Sequence, residues 1–341
     1  MTHWHTRLEP WLARVDRAAQ QVARWYFTAT CRPISAQERD QALASAAVDL
    51  FAIAPCQPPD LDALLGGRRE AHLHWPSTYE MLDPETRSRL ARFERVQEVH
   101  LYALRRAPRT AKGALIVVHG WGTGAHFWTS REFALRQLGA EANMDVYTYV
   151  LPFHAERCPR QAPMSGALFP SLDLALTNAT LCQCVAELRG IVQALAAQGS
   201  PVALLGTSLG GYLSALVAAC EPALSLVVPV ATPASLAEAL LDMAGAKGGA
   251  RLRACGYDPT LIRSAWGWHS PLNFQPLPAW DRRLMVRWSA DAVVPEPLAR
   301  PLWEHWQRPR RLTFAGAHHH LTHLERCAFA AAVAQWLRER L

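Results

Sequence analysis

The run from Pro201 to Gly211, Pro-Val-Ala-Leu-Leu-Gly-Thr-Ser-Leu-Gly-Gly, limits most what this chain can fold into. Val202 to Leu205 is short and apolar, the pattern of a buried strand. Tyr212 to Ala219 reads as a helix with few polar breaks. Between them lies Gly206-Thr207-Ser208-Leu209-Gly210, a G-x-S-x-G sequence. The five-residue pattern alone is common. Strand, sharp turn and helix around it form the context of a nucleophile elbow. The competing reading is an ordinary strand-to-helix turn with a chance serine.

Chemistry gives each position a reason. A nucleophilic serine must stand on a tight turn so that its hydroxyl leaves the sheet. Gly206 and Gly210 leave room where side chains would strike the neighbouring strand or helix. The amide of Leu209 falls at a helix N-terminus, where free donors and the helix dipole favour negative charge. That suits the oxyanion formed when Ser208 attacks a carbonyl.

This stretch resembles the alpha/beta-hydrolase superfamily of serine esterases, lipases and related acyl-transfer enzymes. The resemblance covers about residues 91–341. It implies an α/β fold with a mostly parallel central sheet flanked by helices, here with a helical N-terminal extension and a cap insertion. In that superfamily a second oxyanion donor comes from the loop after a central strand. Gly113 to Val118 is continuously apolar and β-branched, as a strand buried on both faces would be. It runs into His119-Gly120-Trp121-Gly122-Thr123-Gly124. The amide of Trp121 is the candidate donor, with Gly122 second. His119, Gly120 and Gly122 are candidates for contact with substrate. The alternative is a glycine-rich turn serving topology only. No G-K-[ST] follows, so this is not a phosphate loop.

The acid and base follow in the order the superfamily requires. Leu284 to Trp288 reads as a strand, and Asp291 behind it precedes Val294-Pro295, resembling the family's acid motif. Asp291 would accept a hydrogen bond from the catalytic imidazole. After the last strand, Arg311 to Ala315, the Gly316-Ala317-His318 spacing makes His318 the expected base. His319 is its rival, since a one-residue slip at the strand end would exchange them. His320 would begin the following helix, and His323 would lie beyond the mouth. These histidines do not form a zinc motif, because no glutamate follows the first of an H-x-x-x-H pair. A further run, Pro152-Phe153-His154-Ala155-Glu156-Arg157, ends the strand at 144–151, at the edge that carries ligand sites in open α/β folds. His154 and Arg157 either hold this loop together, the preferred role, or touch substrate.

Residues 1–90 read as a helical extension without strand alternation. Leu12, Val15, Ala19, Val22 and Tyr26 form one helical stripe. Ser35 and Glu38 mark a capping box, opening a helix that would run to about Ile53. Trp4, Trp11, Trp25 and Tyr26 would dock this extension on the rest, or face membrane or substrate. Residues 91–341 form the main domain, with 232–280 a probable cap whose Trp266 and Trp268 either line an acyl or aryl pocket or fasten the cap down.

Composition narrows the partners. The chain has 341 residues, half of them hydrophobic and 19% charged, with a net charge of +6. No basic block is dense enough for a nucleic-acid surface. No apolar run reaches the length of a membrane span. The N-terminus lacks a signal-peptide pattern. The eight cysteines have no framework spacing, so reduced thiols and a cytoplasmic location are expected. Nothing in the sequence sets an oligomeric state.

The expected function is a serine hydrolase cleaving a carboxylic ester or thioester of small-molecule size through an acyl-enzyme, without a cofactor. An acyltransferase would use the same triad with an alcohol or thiol in place of water. A non-catalytic binding protein on this fold is the third reading.

Overall fold

A computed structural model describes residues 5–80, 84–105, 111–315, 319 and 321–341. The described strands are β1 (Glu70–Pro76), β2 (Glu98–Leu104), β3 (Ala114–Val118), β4 (Asp145–Tyr149), β5 (Val202–Thr207), β6 (Leu224–Val230), β7 (Leu284–Trp288) and β8 (Arg310–Phe314). They make one sheet in the order β1-β2-β4-β3-β5-β6-β7-β8. β1, β2 and β4 pair antiparallel, and from β4 through β8 every neighbour is parallel. The helices are α1 (His5–Ala29), α2 (Ala36–Ala44), α3 (Leu61–Leu65), α4 (Pro84–Ala91), α5 (His126–Glu132), α6 (Leu135–Ala142), α7 (Leu174–Ala196), α8 (Leu209–Cys220), α9 (Leu236–Ala254), α10 (Pro259–Trp266), α11 (Glu296–His305) and α12 (His323–Arg338).

The middle strands are apolar on both faces because both faces are covered. One core holds Ile116, Val118 and Leu204 from the sheet, much of α7 and α8, and Trp266 of α10. The opposite core holds Leu115, Val117 and Leu205, with Leu138 of α6 and Phe329 and Trp336 of α12. This three-layer arrangement leaves the carboxyl ends of the parallel strands free to carry a site.

The N-terminal part differs from its sequence reading in three respects. It contains a strand, β1, which lies antiparallel along β2. Only Leu73 and Trp75 of β1 are buried, so the alternation is too short to stand out beside the histidines that share the strand. The buried face of α1 is also rotated from the expected stripe. Asp16, Ala23, Tyr26 and Phe27 turn inward, whereas Val22 is 48% and Trp25 66% exposed. Polar partners for Asp16 and Gln20 set this face, and a hydrophobic period carries no such signal. Trp4 and the side chain of Trp11 lie outside the described residues. α2 opens with the Ser35–Glu38 capping box but stops at Ala44, well before Ile53.

The region between β6 and β7 is helical. α9 bends at Gly245, and α1 lies along it. A Cβ on Gly248 would come within 2.9 Å of Thr28 Cγ2, so the two helices approach closely there. Arg24 donates to the carbonyl of Met243 at 2.9 Å. The N-terminal helix and the insertion thus share one packed cover. The same core takes in Leu50, Ile53 and Cys56.

Candidate active site

Ser208 stands at the end of β5 with φ 51 and ψ −114, a backbone shape that a non-glycine residue adopts only at a cost. Its amide donates to the carbonyl of Val230 at 2.8 Å, and its carbonyl accepts from Tyr212 in the first turn of α8. The turn is possible because nothing larger than hydrogen sits at Gly206 and Gly210. A Cβ on Gly206 would lie 2.1 Å from the carbonyl oxygen of Gly210, and one on Gly210 would lie 2.3 Å from that of Val118. Leu209 opens α8, where the first amides have no acceptor within the helix.

The loop after β3 lies against this turn, since a Cβ on Gly120 would touch Ser208 Cβ at 3.5 Å. His119 is fully buried beneath it. Its Nε2 accepts from the amide of Leu151 at 3.0 Å, which leaves Nδ1 to donate to the carbonyl of Gly120 at 2.8 Å. Burial pushes its pKa down to about 4, against the weaker upward pull of that bond to Gly120, so the ring is neutral and ties β3 to β4. The Trp121 indole donates to the carbonyl of Gly166 at 2.8 Å and stacks on Phe27 of α1 at 5.9 Å.

His154 is equally buried. Its Nδ1 meets the carbonyl of Pro152 at 2.9 Å. Among the described residues Nε2 has no hydrogen-bond partner, and it faces Gly166, where a Cβ would come within 2.5 Å of it. Burial, then the neighbouring His119, holds its pKa well below the ordinary value. Arg157 turns away from the mouth into a closed polar hub. It pairs with Glu187 at 2.7 and 3.0 Å and donates to the carbonyls of Val96 and Val150. Glu187 also accepts from Ser77 and Tyr149. A glutamate in the middle of α7 gave no sequence signal, because Ser77, Tyr149 and Arg157 reach it from three distant segments.

The acid and base loops meet at the carboxyl ends of β7 and β8, the sheet edge at which β5 also ends. Asp291 follows β7 and is almost wholly buried. Its Oδ1 accepts from the amides of Val293 and Val294, each at 2.8 Å. Its Oδ2 lies 2.9 Å from Nδ1 of His319, whose side chain keeps 15% of its surface exposed. Burial disfavours the charged imidazole, but the Asp291 charge and hydrogen bond, with the charges of Asp16 and Glu132, outweigh it and hold the pKa at about 9. The expected base, His318, lies outside the described residues, as does His320. His323 is exposed at the start of α12, where Thr322 and Glu325 form a capping box.

Residues 115–334 match the profile of the Alpha/beta hydrolase family. The chain belongs to the alpha/beta hydrolase family. Two uncharacterized proteins of Mycobacterium tuberculosis, from strains CDC 1551 / Oshkosh and ATCC 25618 / H37Rv, are each 30% identical over 211 residues. That is 60% of this chain and 49% of theirs, so the chain spans about half the length of the curated relatives it matches. Among solved structures, an acetyl xylan esterase from Paenibacillus sp. R4 superposes with a TM-score of 0.53 at 12% identity, over 86% of this chain and 98% of that one. A hyperthermophilic esterase from the archaeon Pyrobaculum calidifontis gives 0.52 at 14%, over 94% and 97%. At such identities the likeness speaks for the fold that this alpha/beta hydrolase shares with them.

Proposed function

We propose that this chain is a serine hydrolase that cleaves a carboxylic ester or thioester through an acyl-enzyme on Ser208. The observation that carries the reading is the Asp291–His319 pair, which lies at the same sheet edge as the strained turn of Ser208. In this reading the base is His319, one residue beyond His318.

The steps follow from the groups present. Asp291 holds the Nδ1 proton of His319, leaving Nε2 to take the hydroxyl proton of Ser208. The serine oxygen bonds to the carbonyl carbon, and the amides of Leu209 and Trp121 receive the oxyanion. Collapse breaks the bond to the alcohol or thiol, which leaves with the proton from His319. Water, deprotonated by the same imidazole, then attacks the acyl-enzyme, and release of the acid restores Ser208. Gly120 and Gly122 bring the loop backbone close to the substrate oxygen. His119 and His154 shape that loop from beneath.

A fluorophosphonate probe and p-nitrophenyl esters of increasing chain length test the proposal. Covalent labelling at Ser208 with matching ester turnover is the expected result. A folded protein that neither labels nor turns over any ester would overturn it.

A further inference from the structure

Helix α1 carries a carboxylate where a cover helix has no need of one. Asp16 is fully buried, and burying a charge is costly unless hydrogen bonds compensate. Its Oδ2 accepts from the backbone amide of His319 at 2.9 Å and from that of Ala292 at 3.4 Å. One oxygen therefore binds the base loop and the residue next to the acid. One turn along, the Gln20 side chain donates to the carbonyl of Ala292. Three turns along, Phe27 stacks on Trp121 of the candidate oxyanion loop, and the Tyr26 hydroxyl donates to the carbonyl of Ala167. From Asp16 to Phe27 is about 16 Å of helix. A single face of α1 thus spans the site from the base and acid loops to the oxyanion loop.

We propose that Asp16 is a positioning residue of the active site, whose carboxylate ties the base loop to the acid loop and makes α1 part of the working site. The inference rests on the reading of Ser208, Asp291 and His319 above. Among the described residues, acidic groups act on the His319 imidazole from three sides: Asp291 behind β7, Asp16 on α1 and Glu132 on α5. Asp16 thus has two separable effects. Its acceptor oxygen holds the loops, and its charge favours the imidazolium.

Two substitutions separate them. Asp16→Ala removes both effects, whereas Asp16→Asn keeps an acceptor oxygen of the same size and removes the charge. With p-nitrophenyl butyrate, D16A should lose about 10- to 100-fold in kcat with little change in KM, the scale expected when reacting groups are misplaced. D16N should recover most of that loss at high pH, and its acidic limb in kcat/KM should move to lower pH, since a less stabilised imidazolium gives up its proton sooner. If both variants match the wild type in kcat and in the position of the limb, the proposal fails. If D16A does not fold, D16N decides through its pH profile. If the wild type neither labels nor hydrolyses, the Ser208 reading fails. Asp16 is then judged by NMR titration of the His319 ring: a lower pKa in D16N supports the tie, and an unchanged one overturns it.

Discussion

In the proposed reaction Ser208, His319 and Asp291 divide the chemistry, and each can be tested alone. Ser208→Ala leaves binding and the oxyanion donors in place but removes the attacking atom. Its esterase rate should fall by several orders of magnitude with the fold kept, as thermal unfolding would check. A variant keeping a tenth of wild-type kcat would show that Ser208 is not the nucleophile. His319→Ala should be comparably inactive, whereas His323→Ala, on an exposed helix start, should keep most activity. The pH dependence follows from the same ring. A base must be neutral to accept a proton, and His319 is held protonated up to about pH 9 by the acidic groups around it. The kcat/KM of the wild type should therefore climb from neutral pH towards 9, because each unit frees about tenfold more of the neutral imidazole below the pKa. A profile already flat at pH 7 would place the controlling ionisation elsewhere.

Among the elements, the elbow and its strand and helix were legible because their signals are local. Glycines, an apolar run and a serine stand within a dozen residues. The position of Asp291 behind β7 was legible for a similar reason. The histidine that pairs with Asp291 was harder to read, since a strand end leaves register open by one residue, and three adjacent histidines offer no local means to choose. The His319–Asp291 bond is a tertiary fact. Likewise, α5 and α6 part at Ala134, whose φ of 46 no glycine or proline at that position announces. The fit of α7 against the N-terminal segment was illegible too. A Cβ on Gly190 would lie 1.6 Å from the carbonyl oxygen of Cys56, whose amide donates to the carbonyl of Ala186. On an exposed helix face, Gly→Ala gains about 1 kcal/mol. Here Gly190→Ala should instead destabilise by about 1–3 kcal/mol, the range for overpacking, or more if the backbone must move. Denaturant unfolding reads the sign directly, and a gain in stability would show that the segment does not rest on α7.

At the scale of the whole molecule, the N-terminal segment and the sheet share one core rather than two. Tyr26, Phe27, Ala42, Leu50 and Ile53 are buried with α7, α8 and the insertion between β6 and β7. Asp16 adds a polar tie from this segment to the loops that carry Asp291 and His319. Arg14, Arg17, Arg24 and Arg39 place trypsin sites along the segment. A protease cuts a helix only after local opening, so cleavage there measures how firmly the segment is held. In the native protein these sites should be cut slowly, although several of the arginines are exposed. Because α1 spans the candidate active site, cutting should also cost activity. Loss of ester turnover should then follow loss of the intact chain with the same time course. Rapid release of a soluble N-terminal fragment would contradict the shared core. Slow cleavage that leaves turnover intact would place α1 outside the working site, while leaving the core as described.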